Sequence, residues 1–159
     1  MTKTSKQHGF TIVEVLIVLA ISGLILMMVF MTVPTLQRNA RNNERKQDVS
    51  SILQAISRWE LNNSGGFPAS GDKGAILDRA KRSYYTDPSS VTITPRTSEE
   101  SYNVLSAVTD IDAITIANYA KCADDGSGRG IGTGTGYNDV VALFAVETRT
   151  SSAPQCQEL

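Results

Sequence analysis

One apolar stretch, Gly9–Pro34, limits what this chain can fold into more than any other feature of its sequence. About two dozen residues lie between its ends. The polar ones among them are Thr11, Glu14, Ser22 and Thr32. A helix of this length, at about 1.5 Å of rise per residue, crosses a hydrocarbon core of about 30 Å. The stretch therefore predicts a membrane-spanning helix with one ionisable side chain, Glu14, near its start.

The residues alone leave two general interpretations of this stretch open. A cleaved secretory signal, with Lys3 and Lys6 as its basic flank, fits poorly, because the apolar run is too long and no small-x-small site follows it. An uncleaved membrane anchor fits the length of the run. Its weakness is Glu14, because an acidic side chain is costly in lipid and usually marks function or pairing.

The junction before the apolar run has a specific order of residues. Lys-x-x-Gly-Phe-Thr occupies Lys6 to Thr11, Glu14 follows four residues after Phe10, and the apolar residues continue from there. This order resembles the N-terminus of type IV pilins and the related pseudopilins, over about a third of the chain. In that family a dedicated peptidase cuts after the glycine and methylates the new N-terminal residue. The resemblance implies cleavage after Gly9 and N-methylation of Phe10.

Cleavage after Gly9 would create a partner for Glu14. The Phe10 nitrogen would change from an uncharged amide to an α-ammonium with a pKa of about 8, one helical turn from Glu14. In staggered neighbouring helices, the ammonium of one subunit can meet the carboxylate of the next. At about 4 Å and an effective dielectric constant of about 20, the attraction is about 4 kcal/mol before desolvation. Methylation keeps the charge, so we predict that Phe10 and Glu14 act together in assembly.

Four segments are expected along the chain. They are a cleaved leader at 1–9, a transmembrane or filament-core helix at 10–34, the C-terminal half of the long helix at 35–61, and a globular head at 62–159. Two of the 15 basic residues lie in the leader, so the mature chain would carry 13 against 16 acidic ones. The leader also holds His8, the single histidine, so a mature chain would have none for a triad, metal site or general base.

The basic residues on the two sides of the apolar run favour opposite orientations of the chain in the membrane. Lys3 and Lys6 fit a cytoplasmic N-terminus, but four basic residues follow the run closely and favour the opposite topology. These are Arg38, Arg41, Arg45 and Lys46. The family resemblance implies a cytoplasmic N-terminus, and we expect that orientation.

Pro34 lies where the apolar run ends. A proline within a helix removes one backbone hydrogen bond and clashes with the preceding turn, so a kink or a locally melted segment is predicted there. A simple helix end at the membrane surface is the alternative. The polar run 37–48 that follows is interpreted as a solvated neck or a contact between subunits.

An apolar stripe marks the last part of the long helix. Its residues follow the i, i+3, i+4, i+7 spacing of one helix face. They are Val49, Ile52, Leu53, Ile56 and Trp59. Trp59 is expected in the core rather than at a ligand. The helix should end near Leu61, because residues 62–66 form a strong breaker cluster.

The rest of the chain predicts a small head with a loop-rich insert. The expected elements are a short helix at 75–83, a strand at 90–94, a second short helix at 99–107, and strands at 113–120 and 139–147. The last two have the β-branched and aromatic content of strands. The adjacent Tyr84 and Tyr85 either contact an external surface or pack onto the long helix.

A glycine-rich connection separates the last two predicted strands. Its glycines recur at alternate positions from Gly126 to Gly136, which matches neither dinucleotide-binding nor phosphate-binding loops, so we interpret it as a long hairpin loop. Nearby acidic residues offer oxygen ligands of the kind that some pseudopilins use for calcium, but no EF-hand spacing is present. They are Asp110, Asp112, Asp124 and Asp125. No metal site is predicted.

Two cysteines, Cys122 and Cys156, are the only ones in the chain. An even number in a secreted head suggests a disulfide, with two unrelated thiols as the alternative. The bond would close a loop of about 35 residues, worth about 3.5–4 kcal/mol in the chain-entropy model. The pairing resembles the C-terminal disulfide loop of type IV pilins.

The residues and the resemblance together predict an α+β fold. The N-terminal half of a long N-terminal helix would be transmembrane, and its C-terminal half would pack against a small antiparallel β-sheet, in the lollipop shape of pilins. The expected function is a structural subunit of a type IV pilus-like surface filament, with no enzyme activity and no cofactor. The alternatives are a pseudopilin of a type II secretion or DNA-uptake machine, and an uncleaved single-pass anchor with a binding head.

Several partners follow from the resemblance. They are prepilin peptidase, membrane lipid before assembly, the pilus assembly machinery, and further copies of the chain in a helical filament. Nucleic acid is expected only through the assembled filament. The chain should reside in the cytoplasmic membrane with its N-terminus inside, and then in an extracellular pilus.

Overall fold

A computed structural model of the chain shows an α+β architecture. It describes residues 9–80, 82, 84–96, 108–123, 131–133 and 139–159. The chain divides into two compact units, Met1–Gln37 and Arg38–Leu159. The predicted helix at 99–107 and most of the glycine-rich connection lie outside the described residues.

Helix α1, Ile12–Asn62, is a single helix of 51 residues. It ends one residue after the predicted Leu61, where Gly65 adopts a positive φ of 80° and donates to the Glu60 carbonyl. Pro34 lies inside the helix, so the alternative of a helix end at Pro34 is wrong, while a kink there stays a prediction. Among the described helices, α1 is the one long and apolar enough to cross a membrane.

Within the part of the chain that the structure describes, the head contains one further α-helix and six strands. They are α2 Lys73–Leu77, β1 Val91–Thr94, β2 Ile114–Asn118, β3 Ala120–Cys122, β4 Ile131–Thr133, β5 Val140–Glu147 and β6 Ser152–Glu158. A four-stranded sheet has the order β1-β2-β5-β6, and β3 pairs with β4 in a separate antiparallel ribbon. In the larger sheet β5 lies antiparallel to both β2 and β6.

The sheet is mixed rather than wholly antiparallel. β2 and β5 form the antiparallel pair expected from their sequences, with Ile114 opposite Phe144. β1, however, runs parallel to β2, with Val91 opposite Ile114. The long segment between β1 and β2 permits this arrangement, because parallel strands need a crossover connection. Strand β6 was not predicted, and α2 is shorter than the helix expected at 75–83.

The apolar stripe of α1 forms the core with the sheet. Val49, Ile52 and Ile56 are fully buried and join β2 and β5 side chains in one apolar cluster. Burying each such aliphatic side chain contributes about 1.5–3 kcal/mol. Trp59 is partly buried against the same cluster. The predicted partner surface for the stripe is therefore the sheet.

Side chains occupy the outer edge of β1. Ser70 Oγ donates to the Ile93 carbonyl at 3.1 Å, and Lys73 Nζ donates to the Val91 carbonyl at 3.0 Å. The other edge strand, β6, contains Pro154, which has no N–H to donate. Both edges thus carry features that disfavour pairing with another strand.

Cys122 and Cys156 form a disulfide, the pairing that the sequence predicts. It joins β3 to β6 with 5.6 Å between the two Cα atoms. Glu158 strengthens the same junction, because its carboxylate accepts from the Cys122 N–H at 2.6 Å. The C-terminal strand is therefore held to the sheet through β5 and to the ribbon through the disulfide.

Candidate processing and assembly site

Thr11 and Glu14 define where α1 begins. The Thr11 carbonyl accepts from the Val15 N–H at 3.4 Å, and the Thr11 hydroxyl accepts from the Glu14 N–H at 3.3 Å. In return Glu14 Oε2 accepts from the Thr11 N–H at 2.8 Å and from its hydroxyl at 2.7 Å. This reciprocal arrangement is a capping box, with Thr11 as N-cap and Glu14 at the third helical position.

The carboxylate of Glu14 therefore has hydrogen-bond donors within its own chain. Sequence reasoning considered only an external partner, although Thr-x-x-Glu before an apolar run is a known signature of a helix start. The hydroxyl groups in the apolar run also bond locally, Ser22 to the Val18 carbonyl at 2.7 Å and Thr32 to the Met28 carbonyl at 3.0 Å. These bonds reduce the cost of placing the side chains in lipid. The negative charge of Glu14 still has no cation within the described residues.

Gly9 and Phe10 precede the helix. The Phe10 side chain is 89% exposed. A Cβ atom added at Gly9 would meet nothing within 4 Å, and the φ of Gly9 does not lie in the left-handed region. The described residues therefore leave room for a side chain at position 9. A requirement for glycine there would come from a molecule that binds this segment.

Phe10 and Glu14 line the same shallow hollow. Its volume is about 290 Å³, and its other lining residues, Val15, Val18 and Leu19, are apolar. The structure thus brings together the two residues predicted to act in assembly. The carboxylate is the one acidic group among apolar side chains that are themselves largely exposed.

A second polar cluster connects α1 to the end of β5. Glu147 forms ion pairs with Arg41 and Arg45, each at 2.6 Å. Asn42 exchanges hydrogen bonds with the Glu147 backbone at 2.8 and 2.9 Å, and Arg38 donates to the Thr148 carbonyl at 3.2 Å. We call these four helix residues and Glu147 the arginine clamp. Hydrogen bonds from Arg41 and Arg45 lower the pKa of Glu147 to about 2.

The clamp continues into a buried contact with the two tyrosines. Arg45 donates to the Tyr84 hydroxyl and lies over its ring, with 4.1 Å from the guanidinium carbon to the ring centroid. Asp48 Oδ2 accepts from the backbone N–H groups of Tyr84 and Tyr85 at 2.7 and 2.9 Å. Burial raises the pKa of Tyr85. Of the two interpretations of the tyrosine pair, packing onto the long helix is confirmed.

The interpretation of residues 37–48 as a solvated neck or subunit contact is wrong for two of them. Arg45 is fully buried and Asp48 is 3% exposed, because the head supplies acceptors and donors for both. A sequence signal existed: Arg38, Arg41 and Arg45 continue the same three- and four-residue spacing that the apolar stripe follows. The predicted stripe includes only apolar residues and therefore leaves these arginines out.

The acidic residues considered as calcium ligands are not gathered into a described site. Asp112 accepts from the Tyr84 hydroxyl at 2.7 Å. Asp124 and Asp125 lie outside the described residues. Where the structure describes the chain, no group of three histidine, cysteine or acidic residues could hold a metal ion.

Comparison with known proteins identifies one match, at the N-terminus. Residues 4–30 match the family model described as the prokaryotic N-terminal methylation motif. No curated protein and no solved structure shows significant similarity to the chain. The matched motif is the prepilin-type signal of type IV pilins and pseudopilins, which are structural proteins.

The motif and the fold together support a pilin-like or pseudopilin-like protein. The chain has the N-terminal motif over residues 4–30, a long apolar helix and an α+β head. The signal implies processing by prepilin peptidase and assembly into pilus-like filaments. With the apolar helix, it indicates anchoring in a membrane before assembly.

Proposed function

We propose that this chain is a structural subunit of a type IV pilus-like surface filament. Prepilin peptidase cuts it after Gly9 and methylates Phe10, and the mature chain polymerises through its N-terminal helix. The observation that carries the proposal is the motif match over residues 4–30, with Glu14 in the first turn of an exposed apolar helix. The chain is anchored in the cytoplasmic membrane with its N-terminus inside, then moves to the cell surface.

The exposed apolar side chains of α1 support polymerisation. From Ile12 to Met31 the large apolar residues are roughly half exposed or more, and none of the most apolar part of the helix is buried in the described structure. Such a surface needs lipid before assembly and other subunits afterwards, because a soluble protein rarely exposes so large an apolar area. Neighbouring copies of the same helix supply a matching surface.

Glu14 changes its partner during assembly in this proposal. In the uncut chain it accepts hydrogen bonds from Thr11 and has no nearby cation in the described residues. Cleavage creates the Phe10 ammonium, and the hollow that Phe10 and Glu14 share gives a neighbouring subunit access to the carboxylate. An ion pair between subunits then offsets the cost of a charge in an apolar surrounding.

Mass spectrometry of the chain purified from its native membrane tests the proposal. We expect a mature N-terminus at Phe10 that carries one methyl group. A chain that retains residues 1–9 would contradict the proposal and favour the uncleaved anchor with a binding head. Cells that lack prepilin peptidase are the control, and they should contain only the uncut chain.

Electron microscopy separates the pilus subunit from the pseudopilin alternative. The four-stranded sheet and the disulfide loop do not distinguish them, so abundance in fibres is the measurement. We expect long surface fibres that consist mainly of this chain, as identified by a specific antibody and by mass spectrometry. A chain found only in short periplasmic assemblies of a type II secretion or DNA-uptake machine would assign it as a pseudopilin instead.

A further inference from the structure

The capping box lies immediately beside the bond that the proposed function requires to be cut. Residues 9–11 are outside the helix, α1 begins at Ile12, and the Gly9–Phe10 bond is one residue before the N-cap, Thr11. Two independent observations therefore meet at this segment. One is the motif match that spans it, and the other is a set of four hydrogen bonds that fix the helix start.

A cap is needed because little else stops the helix at this point. In or near lipid, backbone N–H and C=O groups favour helical pairing, since no water is present to bond them. Phe10 has no feature that ends a helix, and Gly9 disfavours one by only about 1 kcal/mol relative to alanine. Without the cap, the helix start would spread over several positions, including some that place the Gly9–Phe10 bond inside the helix.

We propose that Thr11 is a positioning residue for cleavage of its own chain. By fixing the helix start at Ile12, the Thr11–Glu14 capping box holds the Gly9–Phe10 peptide bond outside the helix, where a peptidase can bind it in an extended form. A bond inside a helix is coiled and its polar groups are already paired, so it cannot make those contacts. This inference rests on the proposed function, because it needs the peptidase to act at Gly9.

The proposal predicts which kinetic constant changes. If only chains with the correct helix start bind the peptidase, loss of the cap lowers the fraction that can bind. The apparent KM rises by the inverse of that fraction, whereas kcat at saturation is unchanged. A general defect in folding or insertion would instead leave part of the chain uncut however long the reaction runs, whereas chains that exchange between helix starts are cleaved to completion.

Three substitutions in the full chain test the proposal. Thr11→Val keeps the shape of the side chain and removes the hydroxyl that accepts from the Glu14 N–H. Thr11→Ser restores a hydroxyl without the methyl group. Ser22→Ala is the matched control, because it removes a hydroxyl of the same helix that bonds only to the Val18 carbonyl. Each chain is inserted into phosphatidylethanolamine–phosphatidylglycerol vesicles and cut by purified prepilin peptidase, with product measured by mass spectrometry.

We expect the KM of Thr11→Val to rise about three- to tenfold, the range that loss of an N-cap implies, with kcat within about twofold of the parent. Thr11→Ser and Ser22→Ala should both cleave within about twofold of the parent. In NMR spectra of the same chains in micelles, helical Cα shifts should extend to Phe10 in Thr11→Val only.

Two results would overturn the inference while leaving the proposed function intact. One is Thr11→Val cleaved with the KM of the parent. The other is Thr11→Ser as slow as Thr11→Val, which would show that the methyl group matters and the hydroxyl does not. A parent chain that the peptidase does not cut at all would overturn the proposed function itself, and this inference with it.

Discussion

Two glutamates show how differently this chain accommodates a carboxylate. Glu14 lies among exposed apolar side chains and accepts hydrogen bonds from the threonine three residues before it. Glu147 lies at the end of β5 and is held by two arginines of the long helix. The first has donors but no cation in the described residues, and the second has two cations. Their substitution should therefore affect different properties, assembly for Glu14 and stability of the head for Glu147.

Glu14→Gln should separate processing from polymerisation. The glutamine amide oxygen can still accept from the Thr11 N–H, so the capping box is retained and cleavage after Gly9 continues. The ion pair with a neighbouring Phe10 ammonium is lost, an attraction of about 4 kcal/mol before desolvation. We expect filament yield to fall at least about tenfold, as measured from sheared cell-surface fibres.

Glu44→Gln is the control for that experiment. Glu44 is an exposed acid on the same helix but in the unit Arg38–Leu159. The Glu44→Gln variant should polymerise as the parent does. Normal fibres from Glu14→Gln would contradict the assembly role of the charge. If Glu14→Gln remains uncut, its loss of fibres would be caused by failed cleavage rather than by the missing ion pair.

Arg45→Met should destabilise the head far more than Arg41→Met. Both side chains bind Glu147, but the Arg45 side chain is 0% exposed and that of Arg41 is 47% exposed. Removing one member of a buried pair costs about 3–5 kcal/mol, whereas an exposed pair contributes about 0–1 kcal/mol. Urea denaturation of the full chain in detergent, followed by the fluorescence of Trp59, measures both. Equal losses would contradict the proposed importance of burial.

The head should lose stability in acid through Glu147. Its pKa is about 2 in the folded chain against an ordinary value of 4.5, because Arg41 and Arg45 bind the ionised form. The stabilisation is complete above the unfolded value and is lost as the pH falls from about 5 to 2. The difference in unfolding free energy between the parent and Glu147→Gln should therefore shrink over that range. A difference that stays constant would argue against the ion pairs.

Reasoning from sequence located the apolar residues of the core and failed for the polar ones. Ile52 and Ile56 were predicted from spacing alone, because burial of an aliphatic side chain needs only an apolar surface opposite. Arg45 and Asp48 are buried because distant parts of the chain supply their partners. Glu147, which binds Arg45, is 102 residues further along the chain, and Tyr84, which binds Asp48, is 36 residues further along. The spacing of Arg45 places it on the same helix face as the apolar stripe, but no pattern within a helix reveals partners at such a distance.

Among the strands of the head, too, the buried apolar ones were predicted from sequence and the polar one was not. β2 and β5 were found because their side chains are β-branched or aromatic and buried. β6 was missed because Pro154, two glutamine residues and a serine do not look like a strand. Its position at a sheet edge explains how such a sequence pairs, since an edge strand needs only one bonded side. The parallel direction of β1 depends on the path of its connection to β2, which composition does not specify.

The disulfide is the element-level feature with the clearest expected effect. Cys122 and Cys156 are 34 residues apart, so the bond restricts a long loop in the unfolded chain. Replacing both by serine should lower the free energy of unfolding by about 3.5–4 kcal/mol in the chain-entropy model. Urea denaturation with and without dithiothreitol measures this. The reductant should destabilise the parent and leave the double variant unchanged, and a parent insensitive to reductant would contradict the prediction.

At the scale of the whole molecule, the arginine clamp bears on orientation in the membrane. A count of basic residues after the apolar run favours the topology opposite to the proposed one. Three of those residues, Arg38, Arg41 and Arg45, bond to acceptors on the head once it folds. The family motif favours a cytoplasmic leader, and the disulfide fits an oxidising compartment for the head.

Protease treatment of spheroplasts tests that orientation. Protease added from outside should degrade the head of a chain that is blocked in assembly, and leave a protected fragment that contains the apolar helix. Detergent lysis, as control, should remove the protection. A head that resists external protease in intact spheroplasts but not after lysis would place it inside the cell and contradict the proposed topology.

The covered edge of β1 matters most when many copies of this chain are crowded together. A polymer holds identical domains at a very high local concentration, the condition in which free strand edges fuse sheets between molecules. Ser70 and Lys73 already occupy outward carbonyl groups of that edge, so an adjacent copy finds few acceptors there. In the proposed filament, heads can then stand next to one another without merging into an aggregate, and ordered growth is left to the helices.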